Sequence, residues 1–365
     1  MIVLQIIFFL SILCLGYVFI GYPFLIFLLA KIKPNKITQG GTDLSVSIII
    51  PAFNEEEVIE EKIKNVLGFN FPMNRLEIII VDDGSDDNTP KIISSYKDQG
   101  IQVLTNNPRR GKVAALNHAM KQANGDIFLI SDADITSDPN ALNILMRNFF
   151  EPSVGCVVGR GIVLRNETET NTSHEVYYGY DTRIKISESE IHSSVGVSGH
   201  MMAIRRDLLQ ELPTNILLDD FYLAMMVIKK GYRVIFEPDA ISYERPTLSM
   251  QDEIKRRRRI TAGRYQIISL AKEYLPHLPP LVAIQVVSHK FLRLLIPFFM
   301  FFAFISNIII VSLLDQSSSQ WISVGFSTAL ISQFAFYTAA LLGAIYKNPR
   351  IKILNLPYYL VATNF

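Results

Sequence analysis

From Ile2 to Ala30 the chain carries no charged side chain, and the first charge is Lys31. At about 1.5 Å per helical residue this run exceeds a hydrocarbon core about 30 Å thick. Such a segment is a membrane anchor, a cleaved leader or a deeply buried helix. A cleaved leader predicts a basic start, a shorter apolar stretch and a small-residue cleavage site. None of these is present, and the run reads as an uncleaved span. Two further apolar stretches lie at about 291–314 and 321–346. Their length and lack of charge favour spans over buried helices of a soluble protein. Lys31, Lys33 and Lys36 follow the first span, Lys290 and Arg293 open the second, and Lys347, Arg350 and Lys352 follow the third. The 315–320 turn has no lysine or arginine. The positive-inside rule then predicts an outside N-terminus, residues 31–290 in the cytoplasm and the 315–320 turn outside. The sequons at Asn166 and Asn171 fall on the cytoplasmic side and read as chance matches. Ser288, His289, Lys290 and Arg293 cluster where the second span begins. They read either as interfacial snorkelling or as groups lining a path through the membrane.

The net charge of +1 provides no global field for nucleic acid, which is excluded as a partner class. Cys14 lies in the first span and Cys156 in a strand-like stretch, so neither a disulfide framework nor a cysteine metal site is expected.

Between the spans, apolar strands alternate with helices. Strands are expected at Ser45–Ile50, Glu77–Val81, Ile101–Leu104 and Asp126–Ser131, with helices over 55–67, 88–97 and 111–123 and another opened by Asp138-Pro139. Farther on, Val154–Leu164, Met202–Arg205 and Tyr232–Phe236 read as strands and 219–230 as a helix. This alternation predicts an α/β domain with a mostly parallel sheet covered on both faces. Ligands of such sheets bind beyond the carboxyl ends of the strands. Asn54–Glu55, Asp82–Asp83 and Asp132–Asp134 all fall there.

Each cluster has a chemical and a structural reading. Asp132 and Asp134 are two residues apart on a strand end and point the same way. They are either hard oxygen ligands for Mg²⁺ or Mn²⁺, or an acidic turn. Asp82-Asp83-Gly84-Ser85 either accepts hydrogen bonds from a ribose or base, or makes a turn before a helix. Arg109-Arg110-Gly111-Lys112 precedes a helix and suits a diphosphate, or is a solvated basic loop. Asp219-Asp220 is a helix cap or a general base. Lys255–Arg259 binds a diphosphate or anionic headgroups, and the two do not exclude each other.

Taken in order, these elements resemble the inverting family-2 glycosyltransferases with a GT-A fold, which include membrane-bound synthases of hyaluronan, cellulose, chitin and poly-N-acetylglucosamine. Pro51-Ala-Phe-Asn54-Glu55 is similar to the first nucleotide-binding loop, and Val81-Asp82-Asp83-Gly84-Ser85 to the uridine-contacting strand end. Gly111-Lys112 with Ala115-Leu116-Asn117 resembles the G-K-x-x-A-L-N helix, and Asp132-Ala133-Asp134 the D-x-D motif. Ser198-Gly199 with Arg205-Arg206 resembles the acceptor-side segment, and Asp219-Asp220 stands where the family has T-E-D. The resemblance implies that Asn54, Glu55 and Asp83 hold the nucleoside and that Lys112 places the donor. It implies that Asp132 and Asp134 bind Mg²⁺ or Mn²⁺, that Arg256 and Arg259 meet the diphosphate, and that Asp220 is the catalytic base. The Q-x-x-R-W signature of processive members is altered here to Arg256-Arg257-Arg258-Arg259-Ile260.

The expected layout is a membrane helix over 1–31, a Rossmann-like GT-A domain over 44–248, interface helices with the basic run over 249–285 and a membrane region over 286–365. The expected activity is metal-dependent, inverting hexosyl transfer from a nucleotide-sugar, by family preference a UDP-sugar, to a surface or exported polysaccharide. The rival readings are single-sugar transfer to a polyprenyl-phosphate or lipid-linked acceptor, and an inactive sugar-nucleotide-binding scaffold of a synthase. No G-x-G-x-x-G follows a strand, which argues against a nicotinamide enzyme. Expected partners are the donor, a glycan or lipid-linked acceptor, membrane lipids, and a second copy or synthase subunits. The expected location is the plasma membrane, as a multi-pass protein with its catalytic domain cytoplasmic.

Overall fold

The computed structural model describes residues 1–164, 172–245, 250–314 and 319–346, with Leu354, Pro357, Tyr358, Leu360 and Val361 beyond them. Asn166 and Asn171 of the two sequons, positions 315–318 and the basic residues at 347, 350 and 352 lie outside the described residues. The chain divides into two compact units: 30–165 with 185–283, and 1–29 with 166–184 and 284–365.

The first unit holds one eight-stranded sheet. Its strands are β1 (Val46–Ala52), β2 (Leu76–Asp82), β3 (Ile101–Thr105), β4 (Ile127–Ile130), β5 (Ile135–Ser137), β6 (Val154–Val163), β7 (Met202–Arg205) and β8 (Arg233–Glu244). Their spatial order is β3-β2-β1-β4-β7-β6-β8-β5. β1 pairs in parallel with β2 and with β4, so Ile48 lies beside both Ile78 and Leu129. Near-continuous apolar runs such as Val-Ser-Ile-Ile-Ile suit strands covered on both faces, and all of Val46–Ile50 is buried. Ile59 and Ile63 of the helix Ile59–Leu67 pack into the same core as Ile48, Ile80 and Leu129.

Strand order reverses at β1: β2 and β3 lie to one side and β4 to the other. The loops leaving β1 and β4 therefore part, and a crevice opens between Phe53–Glu55 and Ser131–Asp134. Beyond β4 the sheet is mixed, since β7 is antiparallel to β4 and to β6 while β6 and β8 run parallel. β5 was not expected from sequence, and β8 runs eight residues past the expected end at Phe236, to Glu244. Neither extension carries a long apolar run; the antiparallel pairing of Ile135 with Glu244 stabilises both.

The second unit is helical. Ile2–Ile32 is one apolar helix with a π turn at Tyr17–Gly21, and Gln320–Tyr346 is another; both are long and apolar enough to cross a membrane. The span expected over about 291–314 falls on a pair of helices, Pro280–Leu294 and Ile296–Ser312, bent by 57°. Pro297 lies just after the bend; it has no N–H to give and its ring crowds the preceding turn. The expected 44–248 domain is interrupted because the first part of the helix Thr172–Ile191 belongs to this unit. There the Tyr180 hydroxyl donates to the Phe19 carbonyl at 2.7 Å, and Arg293 pairs with Asp181 at 3.0 Å. Ser288 and His289 are buried rather than snorkelling, and Ser288 shares a hydrogen bond of 2.8 Å with the Tyr17 hydroxyl.

Candidate active site

The loop after β1 is held in an uncommon shape. Asn54 has φ +56°, a left-handed conformation that a side chain disfavours. Its amide compensates by donating to Asp86 Oδ1 at 2.6 Å and accepting from the Asp86 N–H at 3.0 Å. Asn54 thus ties its loop to the turn after β2, and the next residue, Glu55, faces the crevice. Burial pushes the Glu55 carboxyl up to about 7, with Asp134, Asp132 and Asp87 adding to the rise.

After β2, Asp83 is buried and saturated. It accepts from Asn106 Nδ2 at 2.9 Å and from the backbone N–H groups of Arg110 at 3.0 Å and Gly111 at 2.7 Å. Gly84, at φ +75°, lets this turn approach the 106–109 loop, where a Cβ would lie 3.1 Å from both Asn106 O and Arg109 N. The Arg109 guanidinium lies 3.5 Å from the centroid of the Phe53 ring. Asp83 therefore shapes the basic loop that delivers Lys112.

Lys112 opens the helix Lys112–Gln122, and its ammonium lies between two carboxylates. It is 2.8 Å from Asp132 Oδ1 and 3.3 Å from Asp219 Oδ2. Burial would lower its pKa, but Asp132, Asp219 and Asp220 outweigh burial and raise it. Burial would likewise raise the Asp132 carboxyl; Lys112, His200 and Lys62 hold it below its ordinary value. Burial, Asp132 and Glu244 push the Asp134 carboxyl up, against a smaller downward pull from Arg256. Gly199 adjoins the same group, since a Cβ there would be 3.6 Å from Asp132 Oδ2.

Asp219 and Asp220 begin the helix Asp219–Lys229, whose N-terminus favours carboxylates. Asp219 is buried against Lys112, whereas Asp220 is half-buried and accepts from the Phe221 N–H at 2.7 Å. The helix Met250–Ser269 packs over the preceding residues. A Cβ on Gly263 would lie 2.6 Å from Leu218 Cγ. Gln266 donates to the Asn215 carbonyl and accepts from the Leu217 N–H. Arg256, on the same helix, pairs with Glu244 at 2.5 Å, and Arg259 is exposed.

Three residues that sequence reasoning did not single out complete the site. Glu244, at the end of β8, also binds His200 Nε2 at 2.8 Å. Lys62 is fully buried on the helix Ile59–Leu67 and donates to Ser131 Oγ at 2.7 Å and the Ile135 carbonyl at 2.6 Å. Burial pulls its ammonium down to about 8 against the opposing pull of Asp132 and Asp134. The pairing of β5 with β8 is the signal that could have found Glu244. Lys62 had none, for it stands in a run of charged residues. Conversely, Arg205 and Arg206 do not reach the crevice. They lie at the opposite end of the sheet, where Arg205 binds the carbonyls of Val154 and Phe149 and Arg206 that of Asn124. Only Ser198-Gly199 of that expected segment is at the site.

The carboxylates fit a divalent cation in kind. Glu55, Asp132 and Asp134 are oxygen donors, and the two aspartates add to the burial that raises the Glu55 carboxyl, a repulsion that a hard cation relieves. Among the described residues no three His, Cys, Asp or Glu side chains form a metal cage by themselves. Two aspartates with phosphate oxygens and water are the arrangement Mg²⁺ and Mn²⁺ commonly take.

Comparison with known proteins agrees with this geometry. Residues 47–213 match Glycosyl transferase family 2. The chain is 28% identical over 305 residues to the Probable glycosyltransferase YdaM of Bacillus subtilis (strain 168), covering 80% of this chain and 71% of that protein. It is 26% identical over 229 residues to the poly-beta-1,6-N-acetyl-D-glucosamine synthase of Staphylococcus aureus (strain COL). That match covers 61% of this chain and spans about half, 55%, of the synthase. Among solved structures, the mannosyltransferase PcManGT from Pyrobaculum calidifontis, in complex with GDP-Man and Mn²⁺, superposes with a TM-score of 0.72 at 24% identity. It covers 98% of this chain and 97% of its own, and the shared fold is GT-A.

Proposed function

We propose that this chain, whose residues 47–213 match Glycosyl transferase family 2, is a membrane-anchored, inverting hexosyltransferase that uses a nucleotide-sugar, by preference a UDP-sugar, to extend a surface or exported polysaccharide. The observation that carries the reading is Lys112, whose ammonium joins Asp132 of the D-x-D turn to Asp219 at the head of the next acidic helix. It supports a single site in which donor and base stand together.

In this reading the crevice between the loops after β1 and β4 takes the nucleotide, with Asn54 and Glu55 on one wall. Asp83 holds the basic loop, and Lys112 orients the donor phosphates. Asp132 and Asp134 would hold Mg²⁺ or Mn²⁺, which supplies neutralising charge for the leaving diphosphate. Arg256, anchored by Glu244, and the exposed Arg259 add positive charge on that side. Asp220 accepts the proton of the acceptor hydroxyl. The hydroxyl oxygen forms a bond to the anomeric carbon as the bond from that carbon to the diphosphate oxygen breaks, and the electron pair leaves with the nucleoside diphosphate. Attack from the opposite face inverts the carbon, and no enzyme nucleophile is needed.

Single-sugar transfer to a lipid-linked acceptor is the second reading. Ile260, where processive relatives carry tryptophan, favours it, because an isoleucine offers no aromatic platform to a sugar ring. The basic residues beside the spans support a cytoplasmic catalytic unit and a plasma-membrane location.

The test is release of nucleotide by the detergent-purified chain from UDP-, GDP- and dTDP-sugars with Mn²⁺ or Mg²⁺, with and without lipid extract. Asp220→Asn is expected to lower turnover about 10²- to 10⁴-fold while leaving nucleotide binding intact. Product size separates a polymer ladder from one lipid-linked sugar. Metal-dependent binding without release from any donor would leave the scaffold reading in place of the enzyme.

A further inference from the structure

Lys62 is the one lysine among the described residues that is almost wholly out of solvent, at 1% exposure. It occupies the inward face of the helix Ile59–Leu67, between Ile59 and Ile63 in the sheet core. As packing this is a poor choice. A methionine would fill similar space, whereas a buried ammonium forfeits its hydration and must be repaid by partners. Both hydrogen bonds it makes go to one short segment. Ser131 Oγ, 2.7 Å away, immediately precedes Asp132, and the Ile135 carbonyl, 2.6 Å away, immediately follows Asp134. Lys62 therefore spans the chord of the turn that carries the two carboxylates.

The rest of the turn is held by groups that radiate from the same point. Ser131 Oγ, besides accepting from Lys62, donates to the His200 carbonyl at 2.9 Å. That fixes the 199–200 loop, whose Gly199 adjoins Asp132. The His200 ring meets Glu244 at 2.8 Å, and Glu244 stands opposite Ile135 in the sheet. Ala133 is buried between the two aspartates, so the turn cannot rotate without emptying the core.

We propose that Lys62 is a positioning residue of the donor site: its buried ammonium clasps both ends of the Ser131–Ile135 turn and fixes the separation and direction of Asp132 and Asp134. The inference rests on the transferase reading, because it matters only if those carboxylates bind a cation with the donor diphosphate. It extends that reading to a residue that touches neither ligand. Its effect is on the precision with which the two carboxylates are presented, as expected of groups that orient metal ligands from behind.

The experiment is Mn²⁺ binding by the full chain in detergent, read from the electron paramagnetic resonance signal of free Mn²⁺, with UDP and in parallel with GDP. Melting temperatures are taken on the same samples. Lys62→Met is expected to stay folded, with a melting temperature at or above that of wild type. It should bind Mn²⁺ with nucleotide about 10- to 100-fold more weakly. A purely structural lysine would instead lower the melting temperature and leave Mn²⁺ affinity alone. A folded Lys62→Met that binds within about twofold of wild type overturns the assignment. Ser131→Ala keeps the lysine and the Ile135 bond but removes one end of the clasp; its expected loss is smaller, about threefold to tenfold. If Lys62→Met does not fold, unchanged affinity in Ser131→Ala overturns the proposal by itself. Wild-type protein that binds no Mn²⁺ with either nucleotide refutes the transferase reading, and the role of Lys62 falls with it.

Discussion

Single residues in this site are defined by what opposes them. Lys112 keeps its proton because Asp132 and Asp219 outweigh burial, whereas Lys62, which donates to a hydroxyl and a carbonyl, is pulled down to about 8. The consequence for stability has a definite sign. The unfolded chain holds the Lys62 proton up to its ordinary value of 10.5, and the folded chain only to about 8. Between the two, the unfolded state binds more protons, so stability rises with pH across that window. At neutral pH the buried ammonium costs about 3 kcal/mol, a penalty constant below pH 8 and removed as pH approaches 10.5. Relative to Lys62→Met, the melting temperature of wild type is expected to be flat up to pH 8 and then to climb. A difference that stays constant to pH 10.5 would refute it. The aspartates at the strand ends were legible in the sequence because Asp82, Asp83, Asp132 and Asp134 each follow an apolar run. Lys62 was not, since Glu60, Glu61, Lys62 and Lys64 in succession look like a solvated helix face. Only the tertiary fold turns one of those four inward. Asp83 was legible as a strand-end carboxylate, but its partners come from a loop 23 to 28 residues away.

At the scale of elements, the helix Met250–Ser269 bears on catalysis through its seat. Gln266 pins it to Asn215 and Leu217, and Gly263 allows it to lie against Leu218, the residue before Asp219 and Asp220. A side chain at 263 has to displace Leu218 or lift the helix. Overpacking of this kind costs about 1–3 kcal/mol, and misplacement of a catalytic group by about 1 Å can cost about 10²-fold in rate. Gly263→Val is therefore expected to lower kcat by about tenfold or more while nucleotide binding changes by less than about threefold. The reverse split, weak binding at normal turnover, would mean that the helix serves the donor and not the base. Elements with strong local signals were legible: β1, β2, β4 and β7 lie within two residues of their expected ends. β5 and the far half of β8 were not, because short mixed-polarity strands owe their existence to each other through the pairs Ile135–Glu244 and Ser137–Ser242. The helix Thr172–Ile191 was missed for a related reason. Its polar sequence has no clear apolar stripe, and Tyr180 and Asp181 are satisfied by groups distant in sequence.

The whole molecule joins a GT-A domain to apolar helices, and the long charge-free runs made that division legible before any fold was known. The bend in the 280–312 pair was less so, since hydropathy averages over a window and does not register one proline that breaks the hydrogen-bond ladder. Orientation is the property that decides whether donor and enzyme meet, because nucleotide-sugars are cytoplasmic substrates in the proposed reading. In that reading, lysines 31, 33 and 36 and the basic start of the second apolar stretch predict residues 31–290 inside and the turn near 319 outside. The native thiols leave a quiet background for a test: Cys156 is buried and burial raises its thiol, and Cys14 lies within the first apolar helix. Single cysteines at two exposed positions, Asp98→Cys in the sheet unit and Ser319→Cys before the last apolar helix, then report the two sides. A membrane-impermeant maleimide added to intact cells is expected to label Ser319→Cys and to spare Asp98→Cys until the membrane is permeabilised. Labelling of Asp98→Cys in intact cells would put the acidic crevice outside. There the sequons at Asn166 and Asn171 would become candidate glycan acceptors, and a cytoplasmic nucleotide-sugar could not reach Lys112.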